Sequence, residues 1–241
     1  MIDWLLRGHD QPLTVEVAGR DLPLVLRRMA NARRMTLRLA PDGSEARVTL
    51  PRWGRTAEAL AFARSRADWL AGQLAAVPRV AELGQGVAVP FLGEPHLLDH
   101  DPSRPRRVVR ESGQIRIGGP GESLASRLQR WLEGEARRLA AADLVHYCSR
   151  AGQPIPALSL SRAQRRWGSC ARRGAIRINW RLVMAPEWVR RSVVAHEVAH
   201  LVHFDHSPRF HALLGEIYED DIREADSWLR REGRSLYRHF G

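Results

Sequence analysis

The sequence predicts an α+β protein, and three patterns carry that prediction. Short runs of alternating apolar and polar residues fill much of the first half, from Thr14 to Leu50 and again over residues 87–117, which is the period of half-buried strands. A long run after Gly121 keeps its apolar residues at helical spacing. Further on, a second helical run carries two histidines four residues apart, directly after a segment with the signature of a β-hairpin.

Taken in order, Thr14 to Val17, Leu22 to Arg27, Met35 to Leu39 and Ala46 to Leu50 alternate and are separated by Ala18-Gly19 and Pro41-Asp42-Gly43, so they predict a small antiparallel sheet. Thr56 offers a capping hydroxyl to a helix over Ala57 to Ala76, with Leu60, Ala67, Leu70 and Leu74 as its stripe, Trp69 at the edge and Pro78 as its stop. Residues 87–117 predict strands and turns, with Phe91-Leu92-Gly93-Glu94 as a hairpin turn and the Arg104 to Arg110 run as a solvated loop or edge. The Gly118-Gly119-Pro120-Gly121 cluster is the strongest break. It divides an N-terminal β-rich domain with one helix, residues 1–120, from a second domain, residues 121–241.

In the second domain Ser123 is positioned to cap a helix to about Arg150, with Leu124, Leu128, Trp131, Leu132, Leu139 and Val145 at helical spacing and Gly152 as the stop. Leu158 to Asn179 predicts a hairpin that turns at Ala171-Arg172-Arg173-Gly174, because Ile176 and Ile178 alternate with Arg177 and Asn179. Pro186 at a first helical position, followed by Glu187, opens the histidine-bearing helix. Ser207 and Pro208 open another, and Asp221 with Glu224 resembles a capping box for a last helix that stops at Gly233. No internal repeat is visible.

The chemistry concentrates in Ala195-His196-Glu197-Val198-Ala199-His200. At 3.6 residues per turn His196 and His200 project from one helix face, close enough for both imidazoles to meet one ion. Glu197 between them can direct its carboxylate at water on that ion, the arrangement of a zinc hydrolase. Such a site needs a third protein ligand and an open fourth position. His203 on an unbroken helix lies about 10 Å further along the axis than His196, too far for three imidazoles to converge within about 2.1 Å of one zinc. His206 is the better third ligand, because Pro208 disfavours helix at Ser207 and a turn between Leu201 and Ser207 swings His206 back. His203 is then a surface or supporting residue, and His211 a neighbour of the pocket. Metzincins share this histidine spacing, but they have Gly where His203 stands and a downstream Met-turn, whereas no Met follows Met184 here.

Composition sets the context. A chain of 241 residues with 44% hydrophobic content can build a sizeable core. No apolar stretch of signal-peptide length opens the sequence and no run approaches 18 apolar residues, so the expectation is a cytoplasmic protein without membrane contact. Cys148 and Cys170 cannot form a disulfide framework. The net charge of +11 comes entirely from arginine, and the absence of lysine points to codon bias as much as to a partner. One segment stands out: between Arg162 and Pro186 there are seven arginines (162, 165, 166, 172, 173, 177 and 181) and no acid. Read functionally, the Arg162–Arg181 cluster is a nucleotide or nucleic-acid contact; read structurally, it is a solvated face.

Arg165-Arg166-Trp167-Gly168-Ser169-Cys170, Ile176 to Leu182, Pro186, His196-Glu197-x-x-His200 and His206-Ser207-x-x-Phe210 together resemble the YgjP-like metallopeptidases, bacterial relatives of SprT-like and WLM-type zincins. Arg33 to Leu37, Pro41-Asp42-Gly43, Trp69 and Phe91-Leu92-Gly93 resemble the N-terminal half of that family. The resemblance implies a zincin-like metallopeptidase domain, one Zn2+ on His196, His200 and His206, Glu197 as general base, and a protein or peptide substrate. Val198, Asp205 and His211 depart from the usual residues of the family at their positions, and none is a ligand. The hairpin before the zinc helix offers an edge strand for an extended peptide. An oxyanion donor is open among Tyr218, Arg177, Asn179 and His211. Trp167 reads as core ahead of cleft lining, Ser169 and Asn179 as hairpin residues and Cys170 as packing. Two alternatives change the substrate: a nucleoside triphosphate hydrolase using the arginines, although no Gly-rich phosphate loop is present, and a DNA-associated SprT/WLM-like protease.

Overall fold

The computed structural model describes residues 13–40, 42–75, 82–164 and 166–240. Pro41, Ala76, Pro78 and Arg165, which the sequence assigns to a turn, a helix end, its stop and the arginine cluster, lie outside the described residues, as do residues 1–12. The fold is mixed α+β, in two compact units, Met1–Arg79 and Val80–Gly241.

The first unit holds β1 (Thr14–Val17), β2 (Arg20–Met29), β3 (Thr36–Leu39) and β4 (Ala46–Pro51) in the order β1-β2-β4-β3. Ala18 and Gly19, both at positive φ, make the two-residue turn that joins β1 to β2, the turn whose twist matches that of paired strands. The sheet is not wholly antiparallel, as the alternation predicts: β3 and β4 form a hairpin, and β4 then lies parallel to β2. Alternation sets which face is buried, not which neighbour a strand takes. Val15, Val17, Leu22, Leu24, Val48 and Leu50 bury against Ala59, Ala63 and Leu70. The single helix expected here is two, α1 (Thr56–Arg64) and α2 (Ala67–Ala75), because the Ser65 hydroxyl bonds back to the Phe62 carbonyl at 2.9 Å and ends the first. Thr56 is the first helical residue instead of the cap, and its hydroxyl accepts from Arg28 at 2.8 Å.

The second unit opens with β5 (Ala88–Phe91), β6 (Glu94–Asp101), β7 (Val108–Glu111) and β8 (Gln114–Gly118), ordered β5-β6-β8-β7. Its pairings run antiparallel, parallel, antiparallel, the same as in the first sheet. This repeated topology is invisible in the sequence because it preserves alternation and turn positions, not side-chain identities. The Leu92–Gly93 turn, again at positive φ, donates its two N–H groups to Val183 and Met184 at 2.8 and 3.2 Å. A Cβ on Gly93 would lie 2.9 Å from the Pro186 backbone, so only glycine lets the turn approach this closely. Val89, Phe91, Leu98, Ile115 and Ile117 therefore share one core with the elements after Gly121, and the compact division falls at Arg79 and Val80 instead of at the glycine cluster.

After a 3-10 turn at Gly121–Ser123, α3 (Leu124–Arg150) buries Leu124, Leu128, Leu132, Ala136, Ala140, Leu144 and Tyr147. Val145, expected on that stripe, is 52% exposed, and Ser123 does not cap: its hydroxyl accepts from Arg127 at 2.5 Å. Then come β9 (Leu158–Ser161), β10 (Gly168–Cys170) and β11 (Ile176–Asn179), ordered β10-β11-β9, with the expected hairpin between β10 and β11 and β9 added parallel to β11. Three helices follow: α4 (Glu187–Val202), α5 (Pro208–Ile217) and α6 (Ile222–Glu232). Pro186 is the N-cap of α4, one position earlier than expected. Asp221 caps α6 by accepting the Arg223 N–H at 2.8 Å. Gly233 has right-handed helical φ, and a Cβ there would come within 2.9 Å of the Trp167 ring, so close packing is what requires it, more than a helix stop. No helix among the described residues is long and apolar enough to cross a membrane.

A buried ion pair fixes α4 against α3: Arg190 donates to Asp143 at 2.7 Å with both side chains nearly inaccessible. Removing one partner strands the other charge in the core. Asp143→Ala is expected to cost roughly 3–5 kcal/mol, read as a lower denaturation midpoint; a loss below about 1 kcal/mol would show the pair to be dispensable.

Candidate metal centre

Within α4, the i, i+4 spacing stacks the His196 and His200 rings with centroids 4.8 Å apart. The helix ends at Val202, and His203, at φ −126° and ψ 109°, is already extended. His203 contributes its backbone: its carbonyl oxygen lies 2.9 Å from His200 Nδ1. If Nδ1 carries the proton, His200 Nε2 is left as an acceptor facing the cluster. The chain then turns through Phe204 and Asp205, whose carboxylate accepts the Ser207 N–H at 3.4 Å, and enters α5. That turn brings His206 Nε2 to 3.2 Å from His196 Nε2. The nitrogen donors of His196, His200 and His206 all lie within 4.8 Å of one another, a grouping able to hold a metal ion.

The donor set fits such an ion. Bond lengths of about 2.0–2.1 Å and tetrahedral angles put two ligand nitrogens roughly 3.3 Å apart, close to the His196–His206 separation. Phe210, fully buried on α5, supports the cluster with centroids 5.0, 4.6 and 4.9 Å from His196, His200 and His206. It is the third residue of α5, so the start of that helix at Pro208 sets its ring against the cluster. Burial, reinforced by the neighbouring histidines, lowers the His196 pKa to about 4, so its ring stays neutral near pH 7.

Glu197 faces the hairpin. It is 6% exposed, and burial pushes its carboxyl up to about 7, against the opposing pull of a Cys170 N–H hydrogen bond and the Arg166 charge. Directly above it is Gly168, where a Cβ would overlap Glu197 Oε1. Only glycine lets β10 cross the carboxylate this closely. β10 is also an edge strand: Trp167 and Ala171 bond to Asn179 and Ala175 on the β11 side. By antiparallel alternation the backbones of Gly168 and Cys170 face outward, toward the histidines. A cleft of about 300 Å³ lies there, bounded by Gly168, Ser169, Cys170, Glu197, Phe204 and the three histidines.

Other candidate residues fall elsewhere. The Tyr218 hydroxyl donates to the Trp188 carbonyl at 2.9 Å, near the opposite end of α4 from the histidines. Asn179 is buried in the hairpin, donating to the Ala163 carbonyl and accepting the Arg181 N–H. Neither Arg177, which is exposed, nor His211 borders the cleft, although the His211 ring lies 6.4 Å from that of His206. Trp167 packs on Tyr237 and Gly233 and also lines a second pocket beside Glu197. Cys170 borders the cleft, its thiol pKa raised first by burial and then by Glu197. The arginine cluster divides. Arg162 pairs with Glu133 at 2.8 Å, and Arg181, 4% exposed, donates to the Phe240 carbonyl while stacked between Trp180 and Tyr237. Arg166, Arg172, Arg173 and Arg177 are exposed.

Two measurements follow. Gly168→Ala forces Glu197 or β10 to move and is expected to cost about 1–3 kcal/mol; an unchanged midpoint would show the contact to be slack. In the metal-free protein, the folded chain holds the Glu197 proton up to about pH 7 while the unfolded chain releases it near its ordinary 4.5. Its contribution to stability is therefore lost as pH rises through that window, by roughly 3 kcal/mol in full. His196 acts oppositely, its share lost as pH falls from 6.5 toward 4, and it cancels when native protein and Glu197→Gln are compared. The variant should gain on the native protein between pH 5 and pH 8; a constant difference would contradict the raised pKa.

The profile of the YgjP-like metallopeptidase domain matches residues 33–232. No curated protein and no solved structure matches the chain. The family match spans β3 through α6 and includes all three clustered histidines, Glu197 and the β10 edge. The chain belongs to the YgjP-like metallopeptidase family.

Proposed function

We propose that the chain is a zinc-dependent peptidase of the zincin type, in which His196, His200 and His206 hold one zinc ion and Glu197 is the general base. The observation that carries this reading is the 3.2 Å approach of His206 Nε2 to His196 Nε2 beside the buried Glu197 carboxyl. Bound zinc supplies a Lewis acid that acidifies water and polarises a carbonyl. Residues 121–241 carry this apparatus.

The protein residues do the rest. A carboxyl at this position would accept a proton from attacking water and return it to the departing amine. The Cys170 N–H holds Glu197 in place, and Gly168 lets the strand lie against it. The outward backbone of Gly168 offers an N–H and a carbonyl to an extended peptide, which would add to β10 as a further strand and lay its scissile bond along the cleft. Of the four oxyanion candidates, His211 is the one whose ring lies near the histidine cluster, 6.4 Å from that of His206. The phosphoanhydride and DNA-associated readings draw on fewer arginines than the sequence offers, because Arg162 and Arg181 are engaged in the fold.

The zinc-loaded chain should cleave unfolded polypeptides and leave nucleoside triphosphates intact. Glu197→Gln should lower kcat/KM by about 10²–10⁴-fold with zinc content unchanged; full activity would remove Glu197 from the chemistry. His206→Ala should lose zinc, whereas His203→Ala should retain it, because the clustered nitrogen donors among the described residues are those of His196, His200 and His206, and the His203 carbonyl that meets His200 survives the change. The reverse pattern would overturn the ligand assignment.

A further inference from the structure

The metal cleft does not end at Glu197. A second pocket of about 190 Å³ adjoins it, between α4 and α6, and Gly168, His196 and Glu197 border both. His200, Phe204 and His206 line only the cleft, whereas Trp167, Val193, Ile222 and Leu229 line only the second pocket. We infer that this second pocket receives the side chain of the substrate residue that supplies the leaving amine, and that it selects an apolar side chain there. The inference rests on the peptidase reading of the cleft.

The side follows from proton bookkeeping. Peptide hydrolysis breaks the C–N bond, adds the hydroxyl of water to the acyl carbon and delivers a proton to the nitrogen. Glu197 is the carboxyl that makes that delivery, so the scissile nitrogen must lie within its reach. The residue beginning at that nitrogen then continues on the side of Glu197 away from His200 and His206, where the second pocket is.

The chemistry follows from the lining. Four of its side chains are apolar, and the pocket suits one branched or aromatic group. The Ser192 hydroxyl donates to the Val189 carbonyl at 2.8 Å within its own helix. Asp226 sits at the exposed rim, 3.7 Å from Arg230, so its charge is partly answered before any substrate arrives. A carboxylate or ammonium would thus lose water without gaining a buried partner, whereas an apolar group would gain contacts. Gly233 leaves room for the wall, since a side chain there would collide with the Trp167 ring.

The test uses the zinc-loaded full chain and hydroxamates that differ only in carrying a glycine, alanine, leucine, phenylalanine or arginine side chain, with binding measured by calorimetry. The leucine-type compound should bind at least about tenfold tighter than the glycine type. Ile222→Trp, which fills the pocket, should bring that ratio to within about twofold, and Leu229→Ala, which enlarges it, should move the optimum toward phenylalanine. Zinc content and thermal midpoints show that both variants are folded. Equal affinities in the native protein, an unchanged ratio in a folded Ile222→Trp, or tightest binding of the arginine type would overturn the inference. A peptide library read by mass spectrometry separates the two claims. Discriminating hydroxamates without any peptide cleavage would sink the peptidase reading and leave the pocket, and cleavage with no preference on the amine side would sink the pocket alone.

Discussion

The α4 helix ends at Val202, and the extended backbone of His203 turns the chain so that His206 returns over His196. Had α4 continued one more turn, its third histidine face would have been carried along the axis, out of reach of the other two rings. The break is therefore the constraint from which the cleft follows. The freed His203 carbonyl lies beside His200 Nδ1, and Pro208 starts α5 where it sets Phe210 against all three rings. One local interruption creates the cluster, orients one ring and places the apolar support.

The rest of the second unit holds that geometry still. The Arg190–Asp143 pair ties α4 to α3, and the Leu92–Gly93 turn bonds to Val183 and Met184 just before α4 begins. On the other side, β10 lies against Glu197 with no room for a side chain at Gly168. Each contact is a close approach of backbone or a buried charge, which a small displacement would break. Burial of a carboxyl held in this way is what raises its pKa, against the pull of the Cys170 N–H and the Arg166 charge.

What the sequence reveals and what it conceals follow from the range of each interaction. The histidine spacing, the turn enforced by Pro208 and the hairpin around Ala171–Gly174 are local, so they are legible from neighbouring residues. The partnership of β2 with β4 and of β6 with β8 is not local, and alternation is silent on it. Gly118–Gly121 reads as a boundary because glycine marks a break in regular structure, yet the core runs through it from Ile117 to Leu124. The long helix predicted after Thr56 divides because one serine hydroxyl finds a carbonyl three residues back. Arg181 looks like part of a solvated basic run, but Trp180, Tyr237 and the Phe240 carbonyl, brought together only by the fold, enclose it. Gly168 and Cys170 have the least visible roles: nothing near them in sequence says that one makes room for Glu197 and the other donates an N–H to it.

The most direct test is a crystal structure of the zinc-loaded chain with the ion located by its anomalous scattering. The account predicts a single ion bonded to one ring nitrogen each of His196, His200 and His206 at about 2.0–2.1 Å, with the Glu197 carboxylate beside it and not bonded to it. An ion held by the His203 ring, or bound to Glu197 in place of His206, would contradict it.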